Sequence, residues 1–345
     1  MEHVFRLVAE TQLGFSKKWK GGAIFIDVEK AFDSVWHDGL RYKLMTRSLP
    51  RKMIRVMSSL LTDRTVRVNC QNNISEEVKL KAGTPQGSVL SPLLFIIYVN
   101  DIPDLTEANV RMCQFADDMG LWTHAKNIKA VEIRPGKAFS MIEEWCSKWR
   151  IKLNALKTQL VIFSKVRTPT RLNLELFGTP IVRTESAKLL GITLNERLNF
   201  KDHIEETLKK AGVRLNLLKL LRGTNWGAKT YTILKVYKGF IRPVLEYGSL
   251  IASAFTATQM KKLQIIQNKA LRLALGAEIR TRTEDLHLAA NMEMLQVRLR
   301  KLAVNTISSL EKHSTCFQEL KERHETLGPR RGTNTILDQL LRADQ

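Results

Sequence analysis

Cysteine is scarce in this chain and its few copies are widely separated. Cys70, Cys113, Cys146 and Cys316 lie far apart, and no CxxC pair occurs. Structural zinc sites usually draw two ligands from such a close pair, so a zinc knuckle is not expected. The pattern also lacks the dense spacing of a disulfide framework, which favours a reducing compartment and an intracellular location.

Long apolar runs are also missing. The most apolar stretch, Val89 to Val99, is interrupted by Ser91 and Pro92 and is shorter than the roughly 20 residues that span a bilayer. Glu2 and Arg6 interrupt the apolar residues at the start of the chain, so no signal peptide is predicted. A membrane is therefore not among the expected partners.

Acidic residues are outnumbered by basic ones. The 345 residues include 55 Lys and Arg against 34 Asp and Glu, which gives a net charge of +21. A folded chain this basic is expected to bind a polyanion, with nucleic acid favoured over an anionic membrane surface. The length and the 44% hydrophobic content predict a large core divided between two or three domains.

Periodicity predicts a mixed region followed by a helical one, with a boundary near residue 200. From about Lys201 the pattern becomes helical and basic, so the fold class is α+β. Expected helices cover 1–12, 31–45, a segment from Pro50, 93–100, a segment ending near 149, 230–241, 260–275 and 295–310. Expected strands cover 23–27, 65–69, 76–81, 110–115, 119–123, 160–163, 172–176 and 189–194.

The first candidate site is an acidic pair between two apolar stretches. Asp117 and Asp118 lie within residues 114–123, where two short strands are expected to meet at a tight turn. Adjacent carboxylates repel each other, and a hard divalent cation is a common reason to hold them together. A solvated Asp-Asp turn is the alternative interpretation.

A third carboxylate has a similar setting. Asp27 follows the apolar residues 24–26 at the end of an expected strand. If that strand lies beside the hairpin, Asp27 and the acidic pair converge on metal ions suited to phosphoryl transfer. The alternative is that Asp27 caps a helix, since Glu29 and Lys30 follow, and both readings are compatible.

A glycine-containing loop lies between these acids. Residues 83–92 contain Gly83 and Gly87, which let the backbone approach a ligand closely, and Gln86, which offers an amide to a sugar or base. A tight connection between a strand and a helix is the simpler interpretation.

Together these segments resemble the reverse transcriptase family. Residues 25–33 are similar to its motif A, residues 83–92 to motif B and residues 115–118 to motif C. The sequence of residues 27–40 is most similar to that of the jockey-like non-LTR retrotransposons. Residues 149–154 with Lys157 and Thr158 resemble motif D, residues 188–192 resemble the primer-grip hairpin of motif E, and residues 263–272 resemble a helix beyond the thumb.

The resemblance implies a polymerase palm, an antiparallel sheet packed on helices, followed by a helical thumb. It implies partial fingers and palm over 1–199, a thumb over 200–280 that holds the template and primer through phosphate contacts, and a C-terminal helical extension over 281–345. Only the last helix of the fingers, 3–10, is expected before motif A, so the chain is read as N-terminally truncated.

The resemblance also implies roles for the acids and for one lysine. Asp27, Val28, Asp117 and Asp118 form the implied metal set, with Mg²⁺ or alternatively Mn²⁺ as cofactor. Lys157 is implied as a proton donor to pyrophosphate, with a solvated surface lysine as the alternative.

Further implied contacts involve substrate and primer. Phe32 occupies the steric-gate position, although simple core packing also explains it. The implied nucleotide or template contacts are Gly83, Pro85, Gln86 and Gly87, and the implied primer grip is Leu189, Leu190 and Gly191.

The expected function is RNA-directed DNA polymerisation on an RNA template, a DNA primer and deoxynucleoside triphosphates, with nuclear action implied by the resemblance. A catalytically weak or inactive fragment that grips RNA or an RNA–DNA hybrid, or a remnant without function, is the alternative.

Overall fold

The computed structural model describes residues 1–47, 49–71, 73–166, 172–223, 227–329 and 335–341. Asn72, between the strands expected over 65–69 and 76–81, lies outside these residues. The chain forms two compact units. A sheet unit comprises Gly21–Ile162 with a short segment ending at Thr184, and a helical unit comprises Met1–Lys20, a short segment beginning at Phe163, and the chain from Glu185 onward.

The described helices are α1 Glu2–Ser16, α2 His37–Thr46, α3 Arg51–Ser59, α4 Leu90–Val99, α5 Ile128–Trp149, α6 Lys201–Arg222, α7 Thr230–Val236, α8 Arg242–Glu246, α9 Ala257–Leu275, α10 Thr283–Ala289, α11 Leu295–His313, α12 Thr315–Leu327 and α13 Ile336–Leu341. The described strands are β1 Lys20–Asp27, β2 Thr65–Val66, β3 Asn69–Cys70, β4 Asn73–Ile74, β5 Val78–Lys79, β6 Arg111–Phe115, β7 Asp118–Ala125, β8 Gln159–Phe163, β9 Glu175–Leu176, β10 Thr179–Pro180, β11 Val182–Arg183, β12 Ser186–Leu189 and β13 Ile192–Asn195. The predicted α+β class is confirmed.

A five-stranded sheet organises the sheet unit. Its strand order is β11-β8-β1-β7-β6, with β6 and β7 antiparallel and β11 and β8 parallel. Strand β1 occupies the centre and residues 21–26 are buried, which accounts for its almost continuous apolar sequence. Helices α4 and α5 contribute Phe95, Tyr98, Phe139 and Ile142 to the same core.

Two predicted elements differ in type from the structure over part of their length, and the strands predicted over 65–69, 76–81 and 172–176 form only in part. A helix was expected over 31–45, but the backbone forms turns from Glu29 to Asp33 and α2 begins only at His37. The expectation that Asp27 caps a helix is therefore also wrong.

The second misread element was the single strand expected over 189–194. It is instead a hairpin of β12 and β13, because Leu190 and Gly191 both adopt positive φ, +46° and +78°. The motif E resemblance had implied this hairpin, whereas apolar alternation alone does not reveal a two-residue turn.

In the helical unit, the first helix packs against the last ones. Arg6 of α1 donates to Glu319 of α12 at 3.1 Å, and Glu10 lies 3.6 Å from Arg323. Glu10 is almost fully buried, and both arginines therefore offset a carboxylate removed from water. The predicted boundaries at 199/200 and 280/281 stay predictions about functional domains.

Within the described ranges, no helix combines the length and apolar character needed to cross a membrane.

A buried lysine ties α2 to α4 and α5 in the sheet unit. Lys43 donates to the backbone carbonyl of Tyr98 and forms an ion pair with Asp101. Its ammonium lies 3.6 Å from the centre of the Trp149 ring. Burial lowers the pKa of Lys43 to about 8, against the partial opposing effect of Asp101.

This lowered pKa predicts a pH-dependent stability. Between about pH 8 and the ordinary value of 10.5, the folded protein holds fewer protons at Lys43 than the unfolded chain does. The contribution of Lys43 to the free energy of unfolding therefore increases with pH across this range. We expect the difference in that free energy between wild type and Lys43→Met to rise by about 1 kcal/mol from pH 8 to pH 9.

Urea unfolding at several pH values measures this difference, and the subtraction removes groups shared by both proteins, such as the buried thiol of Cys146. Lys52→Met, at an exposed position of α3, is the matched control and should give a flat difference. A flat difference for Lys43→Met as well would contradict the expectation.

Candidate active site

The two strand ends bring the three predicted carboxylates together. Asp27 is the last residue of β1, and Asp118 is the first residue of the neighbouring strand β7. Phe115 pairs with Asp118, which leaves Ala116 and Asp117 as a two-residue turn. Ala116 has φ +53°, as tight hairpin turns require. The acidic pair therefore lies at the tip of the β6–β7 hairpin, as predicted.

The carboxylates affect each other electrostatically. The pKa of Asp118 is raised, first by partial burial and then by the negative charges of Asp117 and Asp27. The site thus concentrates negative charge, and the repulsion between these carboxylates does not stabilise the fold.

Lys157 lies beside one of these acids. Its Nζ is 3.3 Å from Oδ2 of Asp27, and its side chain is 70% exposed. Backbone pairing explains this position, since Asn154 N donates to Asp27 O at 2.8 Å and Val28 forms an antiparallel bridge with Leu153. The segments identified as motifs A and D are therefore adjacent.

Carboxylate and carbonyl oxygens are the donors that hard divalent cations prefer, so the chemistry of Asp27, Asp117, Asp118 and the Val28 carbonyl fits Mg²⁺ or Mn²⁺. The arrangement is not a closed cage. Among the residues that the structure describes, no three His, Cys, Asp or Glu side chains converge closely enough to hold a metal ion. Asp27 is instead paired with Lys157.

The glycine-containing loop is hydrogen-bonded to the segment that follows Asp27. Gly83 N donates to Val35 O at 2.9 Å, and Thr84 N donates to Phe32 O at 2.8 Å. Gly83 has φ +90°, and a Cβ there would lie 2.9 Å from the backbone oxygen of Asp33. Glycine is required at this position by both backbone conformation and space.

Two basic side chains fix the same glycine. His37 Nε2 donates to the Gly83 carbonyl at 2.8 Å, and Arg64 Nη1 donates to it at 3.0 Å. Neither residue was among the predicted site residues. His37 stands within the motif-like segment 27–40, whereas nothing in the local sequence distinguishes Arg64.

The remaining predicted nucleotide contacts lie on this loop and near it. Phe32 is half-buried, with its ring centre 5.0 Å from that of Phe95. Exposed Gln86 donates from Nε2 to Oδ1 of Asp33 at 2.8 Å, a partner that the sequence did not identify. Pro85 is half-buried, and Gly87 is exposed with φ +81°.

The predicted primer-grip residues belong to the helical unit. Leu189 is buried, Leu190 is half-buried and Gly191 is exposed at the β12–β13 turn. The hydroxyl of Tyr247 donates to the Leu190 carbonyl, and a Cβ on Gly191 would lie 3.2 Å from the Tyr247 ring. Tyr247 thus fixes this turn, and no local pattern in the sequence identifies it.

Gly83 and Gly87 offer a matched pair of substitutions. We expect Gly83→Ala to destabilise the protein by about 2–3 kcal/mol, because it adds both left-handed strain and a backbone clash. Gly87→Ala should cost only about 1 kcal/mol, because it has positive φ but open space around its Cβ position. Thermal unfolding of both variants measures this, and equal losses would contradict the account of the Gly83 contacts.

The chain was compared with known proteins. Residues 5–194 match the family described as reverse transcriptase (RNA-dependent DNA polymerase). The chain is 28% identical over 338 residues to the probable RNA-directed DNA polymerase from transposon BS of Drosophila melanogaster, covering 96% of this chain and 36% of the relative. It is 30% identical over 308 residues to the RNA-directed DNA polymerase from mobile element jockey of the same species, covering 86% and 33%.

A third relative, the probable RNA-directed DNA polymerase from transposon X-element of Drosophila melanogaster, is 30% identical over 330 residues, with 94% and 35% covered. The chain therefore spans about a third of the length of these curated relatives. Among solved structures, apo telomerase from Candida tropicalis aligns with a TM-score of 0.45 and 14% identity, covering 99% of this chain and 57% of that one.

The family match includes the β1 end, the Gly83 loop and the β6–β7 turn, and it covers more than half of the 345 residues. The chain belongs to the reverse transcriptase family.

Proposed function

We propose that this chain is the polymerising part of an RNA-directed DNA polymerase of a non-LTR retrotransposon, which adds deoxynucleotides to the 3′-hydroxyl of a DNA primer on an RNA template. The observation that supports this most directly is the grouping of Asp27, Asp117 and Asp118 at two adjoining strand ends within the family-matched region. We place its action in the nucleus, where the insertion of a DNA copy takes place.

We assign a divalent cation, Mg²⁺ or alternatively Mn²⁺, to Asp27, Asp117 and the backbone carbonyl of Val28, with Asp118 in support. When bound, such a cation polarises the attacking hydroxyl and offsets the charge that develops on the transferring phosphate. The raised pKa of Asp118 fits this assignment, because added positive charge relieves the repulsion among the acids.

Lys157 is assigned as the proton donor to the leaving pyrophosphate. Its ammonium lies beside Asp27 and is largely exposed, so it has the freedom to reach a leaving group near that carboxylate. In the absence of substrate, the same charge partly neutralises Asp27.

The Gly83 loop and Phe32 are assigned to the nucleotide. A half-buried ring backed by Phe95 is stiff enough to crowd a ribose 2′-hydroxyl and so favour deoxynucleotides. The backbone amide of Thr84 donates to the backbone carbonyl of Phe32 and so holds the loop beside this residue. We therefore assign Gly83, Pro85, Gln86 and Gly87 to the same nucleotide or its template base. Leu189, Leu190 and Gly191 are assigned to the primer.

Primer extension on an RNA template with Mg²⁺ tests the proposal. We expect Asp117→Asn to lower the rate roughly 1,000-fold or more, because it removes an oxygen ligand where charge develops. Asp63→Asn is the matched control at an exposed positive-φ position, and it should extend primers as wild type does. Mn²⁺ titration followed by calorimetry gives an independent readout, in which Asp117→Asn should weaken Mn²⁺ binding relative to wild type and Asp63→Asn should not.

The proposal would be contradicted if the purified, folded wild-type chain extended no primer and if Asp117→Asn changed neither primer extension nor Mn²⁺ binding. In that case the chain is a binding fragment.

Lys157 needs a separate test because charge and proton donation are different roles. We expect Lys157→Arg, which keeps the charge but does not release a proton near neutral pH, to be about as slow as Lys157→Met, with a loss on the order of 100-fold in turnover. Lys152→Met, which removes an exposed lysine in the same segment, is the control. Recovery of full turnover by Lys157→Arg would show that only charge matters.

A further inference from the structure

The helical unit contains a basic groove between α6 and α9 that the proposed catalytic site does not use. The α6–α9 groove has a volume of about 930 Å³. Its described lining residues include the basic side chains Lys219, Arg222, Lys261, Lys269 and Arg272, and none of the described ones is Asp or Glu. We propose that this groove binds a single-stranded segment of RNA, as a second nucleic-acid contact that adds to the proposed polymerase function.

The positive charge of the groove is not balanced by acidic side chains in the part of the chain that the structure describes. Lys219, Lys261 and Lys269 are exposed, and none of them forms an ion pair with any residue that the structure describes. Unpaired cations on both walls of a concave surface focus the field on an anionic ligand.

Helical spacing aligns these charges in rows. Lys261, Lys269 and Arg272 lie 8 and 3 residues apart on α9, which keeps them near one face and spreads them over roughly 16 Å. Lys219 and Arg222 are three residues apart on α6. The rows are long enough to contact several successive phosphates of one strand.

The two arginines are fixed rather than freely solvated. Arg222 donates to the Ala274 carbonyl at 2.7 Å, and Arg272 donates to the Thr281 carbonyl at 3.1 Å. Arg272 also has a buried Nε–H for which no acceptor lies within reach in the described residues. Because both guanidinium groups are already held in place, a phosphate that binds them costs little additional side-chain entropy.

The α9 wall is held rigid by a polar network. Gln264 Nε2 donates to Oδ1 of Asn268 at 2.8 Å and contacts His287 Nε2 at 3.0 Å, while Gln264 Oε1 accepts from Leu295 N at 2.8 Å. The amide-rich segment 263–272 thus ties α9 to α10 and α11. A preorganised wall reduces the entropy lost when a ligand binds.

The other lining groups favour an unpaired RNA strand over a duplex. Ile265, Leu273 and Ile279 expose apolar surface, and Ile279 is 89% exposed. Unstacked bases can cover such surface, whereas a duplex presents mainly phosphates to a groove. The Thr283 hydroxyl accepts from Asn268 Nδ2 at 3.4 Å and keeps its own proton to donate to a ribose 2′-hydroxyl, which favours RNA over DNA.

The test uses the full chain and fluorescence anisotropy with a 12-nucleotide single-stranded RNA across a salt series. We expect the triple variant Lys219→Gln, Lys261→Gln, Lys269→Gln to lose roughly tenfold or more in affinity, and its slope of log affinity against log salt to fall by about 2. The matched control is Lys209→Gln, Lys262→Gln, Lys312→Gln, which removes the same charge from exposed sites outside the groove lining. The control should change the affinity about threefold at most.

The same measurement is made with single-stranded DNA of the same sequence and with duplex RNA of the same length. For each of these, we expect the groove variant and the control variant to lose similar amounts of affinity. Equal losses of single-stranded RNA affinity in the groove and control variants would overturn the proposal. It would also be overturned if the groove variant alone lost affinity, but lost as much for single-stranded DNA or duplex RNA as for single-stranded RNA. Asp117→Asn should retain full RNA affinity, so this outcome is independent of whether the chain extends primers.

Discussion

Like-charge repulsion at the ends of β1 and β7 is the constraint on which the site depends. Asp27, Asp117 and Asp118 would separate in a flexible chain, and the pKa of Asp118 is raised first by its partial burial and then by the charges of the other two acids. What holds them is the sheet, because β1 is central and buried and the β6–β7 turn is only two residues long. Stability is sacrificed locally, and negative charge is concentrated at the position to which we assign a cation.

The surroundings of these acids are positioned mainly by backbone hydrogen bonds. Asp27 O accepts from Asn154, Phe32 O accepts from Thr84, and Gly83 N donates to Val35. Backbone bonds of this kind are insensitive to side-chain identity, so sequences can diverge around the site while its geometry is kept. Gly83 is the exception, because its conformation admits no side chain.

Much of this architecture was predictable from the sequence because the signals are local. Apolar residues ending in Asp27, the acidic pair between two apolar stretches, and the α+β order each follow from short-range patterns, and the structure bears them out. The helix expected over 31–45 failed because its first part instead forms turns that hydrogen-bond to the Gly83 loop, which lies about 50 residues away in the chain. Arg64, Tyr247 and the packing of α1 were missed for the same reason, since their partners are distant in sequence.

The docking of α1 on α12 has a consequence for the order in which the protein matures. Arg6 and Glu319 are separated by 313 positions, and the sheet unit lies almost entirely between them. At about 5–20 residues per second, a ribosome needs roughly 15 to 60 seconds to deliver α12 after α1 has emerged. During that time the sheet unit has the residues it needs to fold, while α1 waits with its apolar face uncovered. The packing of α1 is therefore completed only after α12 has been made, and α1 is a natural point of engagement for a chaperone during synthesis.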